Sequence, residues 1–538
     1  MYRKRDRAQM TVEDFVPPFG GKLDAENRWV IMAKLMPWDM IEDIYVKSFK
    51  CDRQDGRPPI PSRIAFGALY IKEYENLPQD RTLQHISENV YMQYFLGLTE
   101  FIPKPMFDSS MMTHFAKRFG KEDLSKVNEE IYRRTHRNED PPTDIGGNDS
   151  DAAIDRSIDS SNGSETVNDR SNGSEAAIDR SIDSNNDGET AIDRSDDSSN
   201  GIKAAIDRSI DSNNDGETVN DNRNGSNKGT LILDATAVPS DIRYPTDLSL
   251  LNECRVGTEK IIDDLWDKTE RKGHKTAYSR KKARQGYLRI AKQRKPRKKQ
   301  IRQAVREQLE YVEKNVEKIN GMWQTINHMD YLKHWAQFET IQAIAQQQRQ
   351  HYDNPSEPIE DRIVSLSQPH VRPIVRGKAR GEVEFGQKLS LSIVDGFTFI
   401  ENQSWDNFAE GKTLQASAEK FRGRHGVFPK AILADKTYRN RDNINFCKKN
   451  GIRLSGPRLG RPKESEIEAD KEQAYKDSCD RNTVEGKIGV GKRRFGLDLI
   501  YARGKKTGEI ETVMNVLSMN VAHVLRSLLR RVLTPAKT

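Results

Sequence analysis

The chain has 538 residues, 35% of them hydrophobic, with a mean hydropathy of −0.83; that is enough for two to four domains but too polar for a core along the whole length. No run of about 18 apolar residues appears, which excludes a membrane-spanning helix, and the basic start "MYRKRDRAQM" lacks a signal peptide's apolar segment. Four cysteines without C-x-x-C spacing argue against disulfides and zinc knuckles and fit a reducing cytosol. The net charge of +7 is divided: residues 144–228 carry 20 acids and 8 bases, net −12, leaving +19 on the rest, which points to a polyanionic partner.

Residues 1–140 read as an all-α domain. "PSRIAFGALYIKEYENL" places Ile64, Leu69 and Ile71 on a helix that starts after Pro58, Pro59 and Pro61. "DRTLQHISENVYMQYFLGL" spaces Leu83, Ile86 and Val90 helically, and "FDSSMMTHFAKRFG" offers Asp108 as an N-cap and Gly120 as a stop. Several short helices with short connections suit a helix-turn-helix-like DNA reader; a small bundle without a recognition helix has the same pattern.

Residues 144–228 contain no aromatic, proline or cysteine and repeat a unit such as "AAIDRSIDSNNDGET". Its aspartate recurs at Asp155, Asp169, Asp179, Asp193, Asp207 and Asp221, in steps of 14 residues with one of 10. A fixed period can mark a solenoid, but about two apolar residues per unit cannot offset an ordering cost of about 1–2 kcal/mol per residue. The segment reads as a disordered insert; weak calcium binding by its Asp-Gly units is the alternative.

After the insert the texture changes. "GTLILDATAVPSDIRYP" (229–245) reads as a buried strand with Asp234 near its C-terminal end, and "PKAILADKTYRN" (429–440) as a second strand ending at Asp435. "QKLSLSIVDGFTFIENQSW" (387–405) reads as a hairpin about Asp395-Gly396. Strands alternating with helices indicate an α/β core. A helical block interrupts it at about 255–355: Ile301, Val305, Leu309, Val312, Val316 and Ile319 form one stripe, and Leu332, Trp335, Phe338, Ile341 and Ile344 continue it. Two antiparallel helices would bury both stripes; a coiled-coil dimer contact is the other reading. Residues 268–302, with Tyr278 and Tyr287 interleaved, hold 16 Lys or Arg against one acid. That density attracts phosphates, and Lys281, Lys282, Arg284 and Arg297 are its candidate DNA contacts. A solvated lysine-rich face is the bland account.

"DRNTVEGKIGVGKRRFG" (480–496) spells a phosphate loop short of its last residue. Such a loop needs a buried strand before it and Ser or Thr after the lysine; here the preceding "YKDSCDRNTV" is polar and position 493 is arginine, so nucleotide binding is set aside. The other reading makes Glu485 a metal carboxylate in a basic surface, with Asp234 and Asp435 as its partners near strand ends, where α/β sheets carry functional groups. Three carboxylates can hold two hard divalent cations for phosphate-ester chemistry without ATP. Singly, each acid is also explained as a turn former or a solvated helix residue. Two weaker candidates are the Gly-Arg-Pro of "PRLGRPK" (457–463), a minor-groove element or a plain basic loop, and His370, Arg372 and Arg376 of "QPHVRPIVRGK", where His370 reads as structural.

From "LILDAT" to "RRFG" the sequence resembles the DDE transposases of bacterial insertion sequences, in the IS-five-like group with an IS-four-type catalytic domain. Asp234 closes "LILDAT", Asp435 sits in "ILADKTYRN", and Arg481, Glu485 and Lys492 keep the family's spacing in "RNTVEGKIGVGKRRFGL". The tyrosine often found three places before the arginine is Ser478 here, which puts that tyrosine's role in doubt. "GRPPIPSRIAFGALYIKEYENLPQDRTLQHISENVYMQYFLGL" looks like the group's N-terminal domain.

The resemblance implies an α/β, ribonuclease-H-like catalytic core at 229–538 with the helical, basic insertion. An all-α N-terminal DNA-binding domain (1–140) and the disordered repeat linker (141–228) precede it. Asp234, Asp435 and Glu485 would be catalytic and hold two Mg²⁺ ions, with Mn²⁺ as an alternative; Arg481 and Lys492 would hold DNA phosphates. Partners would be terminal inverted repeats, target DNA and a second copy in a synaptic homodimer, in a bacterial cytoplasm at the nucleoid. A nuclease of the same core, or a non-catalytic DNA-binding descendant, are the rival readings.

Overall fold

The computed structural model describes residues 14–18, 21–49, 59–136, 227–266, 280–324, 328–375, 383–456 and 467–533. All but the last two residues of the repeat insert lie outside the described residues, as do Tyr278, Arg376 and the Gly-Arg-Pro segment.

Among the described residues seven α-helices precede the insert: α1 (Arg28–Leu35), α2 (Trp38–Lys47), α3 (Ser62–Tyr74), α4 (Gln79–Glu88), α5 (Val90–Phe95), α6 (Met111–Arg118) and α7 (Lys121–His136). α3 starts after Pro61, as the prolines require. The apolar spacing through Val90 belongs to two helices, because Asn89 is extended and its side chain accepts from Tyr91 N (2.9 Å) and Met92 N (3.1 Å), capping α5. Asp108 stands two residues before the N-cap, which is Ser110: its Oδ1 accepts from Ser110 N at 2.9 Å, and α6 begins at Met111.

β1 (Thr230–Pro239) opens the sheet. Four helices follow as an insertion: α8 (Asp247–Trp266), α9 (Arg280–Ala291), α10 (Lys298–Trp323) and α11 (His328–Asp353). They build a core of their own from Leu251, Ile262, Leu309, Val312, Phe338 and Ile341. Both predicted stripes face this core, α10 and α11 packing on each other and on α8. Leu332 departs from its stripe and is exposed.

The chain returns through β2 (Arg372–Val375), β3 (Val383–Val394), β4 (Phe397–Ser404), α12 (Leu414–His425), β5 (Ala431–Leu433), α13 (Arg441–Lys449), β6 (Arg453–Leu454), α14 (Ile467–Arg494) and α15 (Lys505–Leu533). The result is a mixed α/β fold. The sheet runs β4-β3-β1-β5-β6, with β2 on the same edge of β3 as β4. β1 is antiparallel to β3 and parallel to β5, which is parallel to β6. The β3–β4 turn is Asp395-Gly396, with φ of 50° and 77°, the paired positive values that an Asp-Gly hairpin turn adopts. At the other end of β3, Gly386 lies opposite Pro239, and a Cβ there would stand 2.1 Å from Val238 O.

The helices before the insert share one apolar core with the sheet. Phe66, Tyr70, Phe95, Phe119 and Ile131 pack into a cluster with Phe397, Phe399, Leu517 and Val521. α15 is the common partner of α3, α6, α7 and β4. A buried amide pair ties the three parts together: Asn520 Nδ2 donates to Asn128 Oδ1 (2.8 Å) and Thr398 O (2.7 Å), and Asn520 Oδ1 accepts from Thr398 N (2.8 Å). Satisfying buried polar groups this way avoids about 1–3 kcal/mol for each one left unpaired.

Candidate active site

Two of the three expected acids come together through sheet register. β1 and β5 pair in parallel from Thr230↔Ala431 to Ile232↔Leu433. Two residues further along each chain stand Asp234 and Asp435. Asp234 is still within β1, whereas Asp435 lies in the turn that follows β5. Asp234 is the fifth of ten residues in β1, in mid-strand rather than near its end, because β3 carries the antiparallel ladder on to Pro239. Asp435 lies just past β5 and caps a 3₁₀ turn (Lys436–Tyr438), its Oδ1 accepting from Lys436 N at 2.7 Å.

Glu485 arrives on α14, which crosses the sheet and is pinned at two strands and at the turn after β5. Arg453 of β6 holds Asp477 with both guanidinium nitrogens, Nη2 reaching Oδ1 at 2.8 Å. Arg481 reaches Asp435 with Nη1, 3.4 Å from Oδ1. Lys492 Nζ donates to Ala237 O of β1 at 3.0 Å. Arg481 Nη2 also lies 3.6 Å from Glu485 Oε1, one helical turn along. One guanidinium therefore bridges Asp435 and Glu485. Burial raises the Asp234 carboxyl above its ordinary value, countered by a backbone bond from Ala235 and by Arg481 and reinforced by Glu410 and Glu485. All three predicted acids thus lie within one field around Arg481.

A fourth acid, Glu410, shares that field, and sequence reasoning missed it. It opens a 3₁₀ turn (Glu410–Thr413) after β4 and pairs with Lys388 of β3 at 3.1 Å. Asn443 joins this turn to the Asp435 turn, its Nδ2 donating to Gly411 O (2.7 Å) and Tyr438 O (2.8 Å). No motif links residues 410 and 443 in the sequence; only the touching of two loops does.

The basic residues divide. Arg481 and Lys492 lie with the acids, although Lys492 rests on a strand carbonyl. Lys281, Lys282 and Arg284 are exposed on α9, and Arg297 is exposed at the N-cap of α10, all in the insertion. The glycine-rich stretch after Glu485 is helix throughout. Lys487 turns inward, Nζ 3.4 Å from His523 Nδ1, and burial lowers its pKa to about 8. A Cβ on Gly491 would press on Leu497 and Met519 at 2.7 and 2.8 Å, so that glycine lets α15 approach. His370 is structural: its ring stacks edge-on to Trp405 at 4.3 Å, and burial lowers its pKa to about 4.

Among the described residues no three acidic, histidine or cysteine side chains close into a ready metal cage. The donor set is nonetheless all carboxylate oxygen, the ligand type hard divalent cations take. Between Asp435 and Glu485 a guanidinium supplies the positive charge such an ion would bring. The residues fit a divalent ion once Arg481 gives way.

A transposase DDE domain matches residues 432–522, which include Asp435, Arg481, Glu485 and Lys492. A transposase domain (DUF772) matches residues 18–118. Both matched models are transposase models, one in the N-terminal and one in the C-terminal part of the chain. A relative, the uncharacterised protein ORF8 in the nfe locus of Rhizobium meliloti, is 28% identical over 113 residues, 20% of this chain and 53% of that protein. The chain thus spans about half the length of the curated relative it matches. No solved structure matches it.

Proposed function

We propose that this chain is the transposase of an insertion sequence in the IS-five-like group, cleaving DNA at the element's ends and joining the freed 3′ hydroxyl to target DNA. The observation that carries the reading is the bridge of Arg481 between Asp435 and Glu485, with Asp234 in the field of both Arg481 and Glu485. Asp234, Asp435 and Glu485 would hold two Mg²⁺ ions, with Mn²⁺ an alternative. A pair of such ions, when bound, supplies Lewis acidity at the attacking and leaving oxygens of an in-line displacement. Arg481 exchanges its carboxylate partners for a DNA phosphate, which a guanidinium grips in two places. Lys492, already at the same strand, adds a second cation along the DNA path. Arg453 on Asp477 and Asn443 between the two turns keep helix and loops in place while the substrate changes.

The sheet order β4-β3-β1-β5-β6, with only β3 antiparallel to its neighbours, supports a ribonuclease-H-like core at 229–538. We assign end recognition to the helices of 1–140 and phosphate contacts to Lys281, Lys282, Arg284 and Arg297 of the insertion. A homodimer brings two ends together. No described helix is long and apolar enough to cross a membrane; a protein acting on the chromosome would work in the bacterial cytoplasm, at the nucleoid. The test is supercoiled plasmid carrying the element's own ends, incubated with Mg²⁺. Strand-transfer products support the reading, nicking alone would make the chain a nuclease, and binding without cleavage would make it a non-catalytic descendant.

A further inference from the structure

Beyond the C-terminal end of β1, two large aromatic side chains face solvent: Tyr244 is 70% and Tyr501 is 60% exposed. They belong to separate segments joined by one backbone bridge. Ser240 pairs with Ile500, Ile500 N donates to Pro239 O at 2.7 Å, and Asp241 N donates to Ile500 O at 2.9 Å. Tyr501 adjoins one arm of that bridge and Tyr244 follows the other by three residues.

Both rings sit on fixed backbone. Tyr244 stands edge-on to Phe385, centroids 5.6 Å apart and planes at 89°, and Phe385 O accepts from Ser240 N at 2.8 Å. Tyr501 N and Ala502 N are held by the Glu511 carboxylate at 3.3 and 2.8 Å. Burying such a ring would gain about 1.5–3 kcal/mol, yet both are left in water.

Their neighbours are mostly cationic. Arg243 is exposed, and its Nη1 donates to Tyr287 Oη (3.3 Å) on α9, the helix of Lys281, Lys282 and Arg284. On the other side Arg503, Lys505 and Lys506 are exposed; Asp241 and Asp498 are the exposed acids of the two segments, and Glu253 lies in the field of Arg243. Rings interleaved with cations accommodate single-stranded nucleic acid, the bases stacking on rings while phosphates meet the charges. A duplex keeps its bases stacked on one another and offers these rings little. The bond from Lys492 to Ala237 O brings α14 against the same end of β1, so the surface continues from the acids.

We propose that this surface takes unpaired bases of a DNA strand on Tyr244 and Tyr501, with the strand's phosphates toward Arg243, Arg503 and Lys505. The proposal rests on the reading of this chain as one that handles DNA. The test is fluorescence anisotropy of the full chain at one fixed salt, against a labelled oligothymidylate of about 16 nucleotides and a duplex of equal length. Tyr244→Ala and Tyr501→Ala should each weaken the single strand about 5- to 150-fold and leave the duplex unchanged. Tyr244→Phe and Tyr501→Phe should bind like wild type, because stacking needs the ring and not the hydroxyl. Equal losses on both probes, no loss in either alanine variant, or phenylalanine variants as weak as alanine would each overturn the proposal. Wild-type protein that binds neither probe sinks the DNA reading as well, whereas duplex binding without a tyrosine-dependent single-strand mode sinks this proposal alone.

Discussion

Replacing Asp435 by asparagine should separate the chemistry of the site from its stability. The Asp435 side chain is 46% exposed, and its ion pair with Arg481 at 3.4 Å joins a partner 32% exposed. A pair in that setting contributes about 0.2–1 kcal/mol. Its other contact, accepting from Lys436 N at 2.7 Å, survives because asparagine caps a turn as aspartate does. The fold should lose no more than about 1 kcal/mol, a fall in melting temperature below about 4 °C. The chemistry loses one of three carboxylates, and with it several kcal/mol of transition-state charge stabilisation. About 3 kcal/mol is already more than 10²-fold in rate. The assays are Mg²⁺-dependent cleavage of plasmid bearing the element's ends, gel-shift binding to those ends, and a thermal melt. Cleavage should fall at least about 10²-fold with binding and melting nearly unchanged. Cleavage within tenfold of wild type (about 1.4 kcal/mol) would refute the ligand assignment, and a collapsed melt would refute the structural half of the reasoning.

Three further outcomes follow from the geometry. Arg481→Ala removes two exposed pairs worth about 0.2–1 kcal/mol each, so Mn²⁺ titration without DNA should show binding about 2- to 30-fold tighter than wild type; equal or weaker binding argues against the guanidinium as a stand-in cation. Burial pushes the Glu73 carboxyl up from 4.5 to about 7, with Lys72 beside it opposing the rise. The folded state therefore keeps a proton that the unfolded chain releases above about 4.5, and this group's contribution to stability falls as pH rises to about 7 and is level beyond. Glu73→Gln should flatten that fall, gaining on wild type in melts between pH 5 and 8; an unchanged pH slope contradicts the assignment. Gly386→Ala drives a Cβ into Val238 O at the β1–β3 pairing and should cost about 1–3 kcal/mol by chemical denaturation, a neutral result meaning that the strands stand further apart.

Local chemistry made part of this molecule legible. Asp395-Gly396 marked its turn because few residues accept two successive positive φ values. The apolar stripe from Ile301 to Ile319 marked α10 because its spacing matches one helical face and no strand. The aspartates were legible as strand-associated acids, and their mutual register was not, because pairing is set by contacts between residues 200 positions apart. Glu410 and Asn443 have no local signature at all; each matters only because two short turns touch. Gly491 likewise has no local explanation, since it answers to the close approach of Met519 on α15, a long-range fact.

The buried Asn128–Thr398–Asn520 junction bears on the order in which the polypeptide can mature. Because α3, α6 and α7 complete their apolar cover on a helix spanning Lys505–Leu533, these helices wait through several hundred residues of synthesis with oily flanks in water. That interval is when nascent protein is most open to chaperone capture or clumping, so output should depend on how briskly the remainder is translated.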